Sequence, residues 1–300
     1  MEKDSSQTLL VKVLCSFSTI SLQITMDKKM KRNYIPYLRI SFLMLLIYHI
    51  GSVEAEIVKK GLVSYWSFDR PTIKTKVQDL AGKNSGRIEG NKKIVKGIVK
   101  EALEFDGKKS YVDFGAAFEK DVLAAGSEEW TITLWIKPIS LASNASNHGT
   151  MNCFLAKASV GRNDNLEFGV QTNNDLHLYI DTQPKDSQMD FGKGELKKGT
   201  WHFVGVSYDT KGSVDVWLNK NHYPEPNFWK GSRMDAAGGS PFTIGATIHI
   251  DTYFHGAVDE VAVYERALSE KEIIKNRQAA LAVASTGKLT IIWGQIKASK

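Results

Sequence analysis

The sequence predicts an all-β protein, a two-sheet antiparallel jelly-roll sandwich with one short C-terminal helix. From residue 61 onward, short strand-forming segments alternate with turns rich in glycine, asparagine and aspartate. Residues 130–136 alternate so cleanly that one face receives only apolar side chains. Ser269 and Glu272 have the spacing of a capping box, which predicts a helix from there to about residue 282.

The first predicted strand covers residues 62–68 and carries apolar side chains on both faces, which is typical of a strand between two layers. Two turns follow, D-L-A-G at 79–82 and N-S-G at 84–86. Asp and Asn hydrogen-bond their own backbone there, and Gly accepts a positive φ. A short strand at residues 87–89 and a connector at 94–99 come next.

Asp106-Gly107 predicts a hairpin, because it separates two strand-like segments at residues 102–105 and 111–114. The pattern assigns Asp106 to the turn rather than to a ligand site. Residues 116–125 are the one internal stretch compatible with a helical turn or two.

The second half of the domain continues the all-β pattern. Residues 182–199 are predicted to be a polar connection, and residues 221–230 an aromatic loop with two prolines. Residues 254–265 form the last predicted strand, which we expect to meet residues 61–69 and close the domain. The remaining predicted strands lie at residues 153–157, 166–171, 176–181, 201–208, 214–218 and 242–248.

Residues 1–55 are predicted to be an N-terminal extension with a secretory signal peptide. Lys31 and Arg32 precede an apolar run at residues 40–50, and small residues permit cleavage after Ala55. The run is shorter than the roughly 20 residues that span a bilayer, so an uncleaved signal anchor, which would attach the protein to a membrane, is the alternative. Residues 56–283 form the predicted domain, and the tail at 284–300 is compatible with an extra strand.

Charge and cysteine content limit the classes of function. The formal net charge is +6, and without residues 1–55, which hold seven Lys/Arg and four Asp/Glu, it falls to +3. No basic block interleaved with aromatic residues remains, which argues against a nucleic-acid partner. Cys15 lies in the extension, so Cys153 alone remains and predicts a domain without an internal disulfide.

Several stretches together resemble the laminin-G-like jelly roll, within the concanavalin A-like lectin and glucanase group. The resemblance covers nearly all of the chain after the extension and implies a secreted or cell-surface protein of this fold. The matching stretches are G-L-V-S-Y-W-S-F-D at 61–69, A-L-E-F-D-G at 102–107, W-T-I-T-L-W-I-K-P at 130–138, W-H-F-V-G-V-S-Y-D at 201–209 and F-H-G-A-V-D-E-V-A-V-Y-E-R-A-L-S at 254–269.

The resemblance also implies a structural calcium ion where the first and last strands meet, with Asp69 and Asp259 as candidate ligands. Strict alternation places Asp259 on the face of Val261 and Val263, and places Glu260 on the opposite face. A carboxylate on an apolar face needs a partner. The alternative is that Asp259 accepts hydrogen bonds from the backbone or from Arg266.

A carbohydrate site is predicted in the aromatic loop, where Tyr223, Phe228 and Trp229 lie beside Asn227. Aromatic faces surrounded by amide and carboxylate groups suit sugar rings. The alternative is that these aromatic side chains pack against the sandwich.

The absence of an enzyme signature favours binding over catalysis. Glycosidases of the resembled group carry paired carboxylates on one strand, whereas this chain offers only V-D-E-V at 258–261. The sequence therefore predicts a secreted, non-catalytic, lectin-like module for carbohydrate or glycoprotein. An adhesion or protein-interaction module without a sugar site is the second hypothesis, and a glycoside hydrolase the third.

Overall fold

The chain divides into two units, Met1–Val53 and Glu54–Lys300. The computed structural model describes residues 7–15, 18–26, 56–73, 76–141, 151–158, 164–183, 187–211, 214–225, 230–236, 238–248 and 250–282.

The first unit contains an antiparallel hairpin of β1 (Gln7–Cys15) and β2 (Ser18–Met26). No strand was expected in this extension, although the alternation in S-T-I-S-L-Q-I-T-M suits one. The apolar run at 40–50 and its cleavage site lie outside the described residues. None of the helices described for this chain has the length and apolar character needed to cross a membrane.

The second unit contains two large antiparallel sheets. The strands, in chain order, are β3 (Leu62–Trp66), β4 (Lys76–Val77), β5 (Gly86–Glu89), β6 (Lys93–Lys96), β7 (Glu101–Asp106), β8 (Tyr111–Asp113), β9 (Glu129–Pro138), β10 (Asn152–Lys157), β11 (Leu166–Val170), β12 (Leu176–Ile180), β13 (Thr182–Gln183), β14 (Ser187–Phe191), β15 (His202–Asp209), β16 (Val214–Leu218), β17 (Asn221–Glu225), β18 (Arg233–Met234), β19 (Phe242–Ile244), β20 (Ala246–Thr247), β21 (Thr252–Tyr253) and β22 (His255–Tyr264).

Sheet I has the order β14-β12-β11-β10-β19-β8-β5-β4, and sheet II has the order β17-β16-β15-β9-β22-β7-β6, with β3 paired to β22. Two short pairs, β13-β18 and β20-β21, complete the described strands. This architecture confirms the predicted two-sheet antiparallel sandwich.

The core lies between the two sheets and follows the predicted alternation. The residues of β9 that belong to it are Trp130, Ile132, Leu134 and Ile136. The ring of Trp130 stacks on Tyr208 with centroids 5.4 Å apart, and Trp66 stacks on Phe242 at 6.0 Å. Large aromatic side chains therefore supply much of the buried apolar area that holds the sheets together.

Strand β22 closes the domain, as the sequence predicted. It pairs with β3 near the start of the unit, where Val261 lies opposite Trp66, and it also pairs with β9 and β7. The two ends of the domain are thus joined by backbone hydrogen bonds in the interior of sheet II.

The predicted hairpin at Asp106-Gly107 is wrong, because β7 lies in sheet II and β8 in sheet I. The turn chemistry itself is as expected. The Asp106 carboxylate accepts the amides of Lys108, Lys109 and Ser110 at 2.9–3.1 Å. Gly107 has φ +69°, and a Cβ there would lie 2.6 Å from the Cβ of His255, so the chain needs glycine to cross between the sheets.

Four other predictions fail locally. The predicted connector at 94–99 contains part of β6 (Lys93–Lys96), which pairs with β7. Residues 221–225 were expected to be loop but form β17, which tolerates Pro224 because β17 is an edge strand of sheet II. The predicted connection at 182–199 contains β13 and β14. Residues 116–125 form turns and no helix.

The single α-helix among the described residues, α1 (residues 270–282), covers the outer face of sheet II, and a short 3-10 helix (Arg70–Thr72) follows β3. The backbone N–H of Ser269 donates to the Glu272 carboxylate at 3.0 Å, as in a capping box, and Arg266 pairs with the same carboxylate. Ile273 packs with Trp135 and Tyr264 in a second apolar cluster beneath the helix.

Asn276 ties α1 to both ends of the domain. Its Oδ1 accepts the Val58 amide at 2.8 Å, its Nδ2 donates to the Tyr264 hydroxyl at 2.9 Å, and that hydroxyl donates to the Val58 carbonyl at 3.1 Å. All three residues are buried.

We expect Asn276→Ala to lower the free energy of unfolding by about 2–3 kcal/mol, since it leaves the buried Val58 amide without an acceptor. Urea denaturation followed by tryptophan fluorescence measures the change. Lys275→Ala, at the neighbouring exposed position, should change it by less than about 0.5 kcal/mol. Equal effects of the two substitutions would contradict the role given to Asn276.

Candidate functional site

A pocket of about 500 Å³ opens in the second unit, where the start of the domain, β3, the 97–100 turn and the end of α1 meet. Its lining combines ionisable and aliphatic groups. The lining residues used below are Tyr65, Asp69, Lys100 and Glu260 on the polar side, and Pro71 and Leu80 on the apolar side. The volume is in the range of small-molecule sites in proteins.

The pocket depends on a β-bulge in β22. The pairing with β9 shifts between Asp259 and Ala262, and Glu260 has φ +51°. Val258, Val261 and Val263 all belong to the inter-sheet core, so the core residues are three apart across the bulge instead of two.

The bulge overturns the predicted alternation around Asp259. Asp259 does not share a face with Val261 and Val263, and Glu260 does not face away from it: the negative charge of Glu260 acts on the Asp259 carboxylate. The extra residue turns both acidic side chains away from the inter-sheet core.

Asp259 is fully buried and is held by backbone amides. Its Oδ2 accepts the N–H of Ile98 at 2.9 Å and of Val99 at 3.2 Å, and its Oδ1 accepts the N–H of Glu260 at 2.9 Å. A Cβ at Gly97 would lie 2.5 Å from Oδ2, so glycine lets the turn approach the carboxylate. Burial, with the nearby charge of Glu260, raises the pKa of Asp259 despite the amide donors.

Glu260 accepts a hydrogen bond from the Tyr65 hydroxyl on the pocket wall. Burial raises the pKa of Glu260 to about 7, with Asp69 adding to the increase and Tyr65 and Lys100 opposing it. Burial and the Glu260 charge also raise the pKa of Tyr65. The phenol therefore stays protonated, and Glu260 changes charge near neutral pH.

Asp69, at the end of the first strand, is the third acidic group of this region. Its Oδ1 accepts the amide of Glu101 at 3.2 Å, and its Oδ2 lies 3.7 Å from Lys100 Nζ. Its charge contributes to the raised pKa of both Asp259 and Glu260. The structure thus brings Asp69 and Asp259 to one region, as the sequence predicted.

The contacts of these carboxylates do not fit a calcium centre built on Asp69 and Asp259. Amide N–H groups and a lysine ammonium face their oxygens, whereas calcium takes six to eight oxygen ligands. Among the described residues, no three His, Cys, Asp or Glu side chains lie close enough to hold a metal ion. Calcium binding stays a prediction, and the contacts favour the alternative of backbone hydrogen bonds to Asp259.

The predicted sugar loop is described only in part. Tyr223 lies in β17, packs against the inter-sheet core and Phe191, and donates its hydroxyl hydrogen bond to Glu195. These contacts favour the alternative that Tyr223 packs against the sandwich. Asn227, Phe228 and Trp229 lie outside the described residues, and their role stays a prediction.

Sequence reasoning missed Tyr65, Lys100 and Glu260 as pocket residues. Tyr65 was assigned to a strand and Glu260 to the wrong face. The adjacent acidic pair Asp259-Glu260 was visible, but the bulge that turns both groups outward has no marker such as glycine in the sequence.

The fold defines the class of protein, a concanavalin A-like β-sandwich. The chain belongs to the concanavalin A-like lectin/glucanases superfamily, because the Laminin G 3 family model of that description matches residues 106–274. No curated protein sequence matches the chain.

Among solved structures, the chain is similar to Domain 4 of AbnA, a GH43 extracellular arabinanase from Geobacillus stearothermophilus, in complex with arabinotriose. The TM-score is 0.52 at 21% identity, covering 72% of this chain and 97% of that one. The chain is also similar to the binding domain of botulinum neurotoxin DC in complex with SialylT. The TM-score is 0.51 at 14% identity, and the match covers 74% of this chain and 52% of that one.

A Trypanosoma rangeli sialidase in complex with sialic acid gives a TM-score of 0.54 at 14% identity, covering 92% of this chain and 43% of that one. The chain therefore spans about half of the neurotoxin domain and less than half of the sialidase. At these identities the likenesses show the shared fold.

We expect the contribution of Glu260 to stability to fall as the pH rises from about 5 to 7.5, while His202, whose pKa is lowered by burial, acts in the opposite direction. The folded state holds the Glu260 proton more tightly than the unfolded chain, so this contribution is present below pH 4.5 and is lost as the pH rises through about 7. Its size is about 3 kcal/mol. Asp259, whose pKa is also raised, acts in the same direction.

Thermal unfolding of Glu260→Gln across this pH range tests the assignment. The variant should show a shallower fall in melting temperature than the wild type. Glu265→Gln, at an exposed position just after β22, serves as the control and should keep the wild-type slope. An unchanged slope in Glu260→Gln would contradict the assignment.

Calcium removal is a separate test. Because the contacts of Asp69 and Asp259 do not fit an ion, the melting temperature should be the same in EDTA and in millimolar calcium. A ligand that binds only the folded state raises the melting temperature by mass action. A calcium-dependent increase that disappears in Asp259→Asn would restore the calcium prediction.

Proposed function

We propose that the domain is a non-catalytic carbohydrate-binding module that works outside the cell. The observation that carries the proposal is the pocket of about 500 Å³ beside the closing strand. Its lining offers carboxylate, phenol and ammonium groups together with aliphatic groups.

This lining matches the chemistry of a saccharide ring. A sugar presents hydroxyl groups at its edge and C–H groups on its faces, so it needs donors and acceptors beside apolar surface. Lys100, whose side chain is 72% exposed, supplies a donor, and Asp69 and Glu260 supply acceptors. Pro71 and Leu80 supply the apolar side.

The arrangement of carboxylates favours binding over hydrolysis. A glycosidase needs an acid and a second carboxylate on either side of the scissile bond. Asp259 is enclosed by amides, Asp69 is held by the Glu101 amide and Lys100, and Glu260 is engaged by Tyr65. Each of these three carboxylates already has a protein partner, which favours a role in hydrogen bonding to a sugar over attack on a glycosidic carbon.

The known relatives of the fold support the same class of partner. The similar structures carry arabinotriose, SialylT and sialic acid, each bound to the protein in which it was seen. For this chain we propose a glycan, free or on a glycoprotein, as the partner. The apolar run at residues 40–50 supports export.

A glycan array probed with the full chain tests the proposal. We expect binding to at least one glycan, and we expect Lys100→Ala to weaken that binding by about tenfold, since it removes a charged hydrogen-bond donor. Isothermal titration calorimetry measures the change. Lys108→Ala, an exposed lysine in the turn after β7, is the control and should bind normally.

Binding to no glycan would contradict the carbohydrate proposal and favour the protein-interaction hypothesis. Glycan binding that Lys100→Ala leaves unchanged would place the site outside the pocket.

A further inference from the structure

Two tyrosines lie together on the outer face of sheet I. Tyr111 in β8 and Tyr253 in β21 have ring centroids 6.3 Å apart, with the ring planes at 49°. Val112 belongs to the inter-sheet core, so its neighbour Tyr111 points outward. Both tyrosines are half-buried, and each keeps part of its ring open to solvent.

Neither ring takes part in holding the sandwich together. The described apolar clusters, including the partly buried residues packed against them, contain Tyr65 and Tyr223 but neither Tyr111 nor Tyr253. The two rings are in tilted contact outside these clusters, and partly exposed aromatic rings that lie together are candidates for contact with a ligand.

Ionic side chains surround the pair on the same face. Strand register places Arg87 opposite Asp113 and Glu89 opposite Tyr111. Arg87 contacts the Glu89 carboxylate at 2.6 Å and the Asp113 carboxylate at 3.7 Å. The guanidinium is therefore an ion-paired donor group on the same face as Tyr111, with 66% of the Arg87 side chain exposed.

The charges of this face have a small excess of acid, because the register also places Lys76 opposite Arg87, and these two cations face the carboxylates of Glu89, Asp113 and Asp251. Arg87 is balanced by Glu89 and Asp113, and the Tyr253 hydroxyl donates to the carboxylate of Asp251 at 3.3 Å. Burial and neighbouring carboxylates raise the pKa of both tyrosines, so their hydroxyls stay protonated. The surface offers donors and stacking faces, and its net charge opposes an anionic ligand.

We propose that Tyr111 and Tyr253, with Arg87 and Glu89, form a second saccharide-binding surface that takes neutral oligosaccharides and rejects sialylated ones. The inference rests on the proposed carbohydrate-binding function and adds a surface and a ligand class to it. The pocket lies on the side of sheet II that faces away from sheet I, so the two sites are on opposite sides of the sandwich.

Tyr111→Ala and Tyr253→Ala in the full chain test the surface. Calorimetry uses cello-, xylo-, malto- and arabinotriose as the neutral probes, and lactose with 3′-sialyllactose as a pair that differs in charge. We expect each alanine variant to weaken binding of a neutral probe by at least tenfold, whereas Tyr111→Phe keeps most of the affinity. Melting temperatures near that of the wild type show that the variants are folded, since neither ring is in the core.

The outcomes separate this inference from the proposed function. Wild-type affinity in both alanine variants, with loss in Lys100→Ala, would overturn the second surface and leave the pocket in place. Tighter binding of 3′-sialyllactose than of lactose in a tyrosine-dependent manner would overturn the ligand class. No binding of any neutral probe by the wild type would overturn the second surface, whereas the glycan array alone decides the proposed function.

Discussion

The hydrogen bonds between the buried Asp259 carboxylate and the amides of Ile98 and Val99 are the constraint on which this structure depends. A carboxylate in an apolar interior is costly unless several donors surround it. Here the donors come from a turn between two strands of sheet II, so the same contact fixes the bulge, the turn and the wall of the pocket. Gly97 makes the close approach feasible, and Glu260 takes a left-handed conformation as the cost of the extra residue.

The sandwich separates its two candidate binding regions. On the outer side of sheet II, the pocket near the end of α1 combines Glu260, whose carboxyl group titrates near neutral pH, with Lys100 and aliphatic groups. On the outer face of sheet I, two tyrosines lie in tilted contact beside an ion-paired arginine. The two regions differ in shape and chemistry, so each proposal can be tested without disturbing the other.

Much of the fold could be predicted because it depends on local patterns. Alternation in residues 130–136 placed the core side chains correctly, and capping chemistry placed the helix. The site could be predicted only in part. Asp69 and Asp259 were identified from the resemblance. The one-residue bulge between Asp259 and Ala262, however, reverses the faces that strict alternation assigns to the residues on its two sides. Asp106-Gly107 has the same turn chemistry whether it joins one sheet or two, and Tyr111 and Tyr253 meet only in the folded chain.

The pairing of β3 with β22 has a consequence for synthesis of the protein. On the ribosome, Trp66 and Phe68 emerge early, but the strand that completes their part of sheet II emerges only after nearly the whole domain. Contacts so distant along the chain form late and make folding slow. The nascent domain therefore exposes aromatic residues and an unpaired strand edge for most of its translation. Such surfaces promote aggregation, so we expect the nascent chain to bind chaperones during that interval.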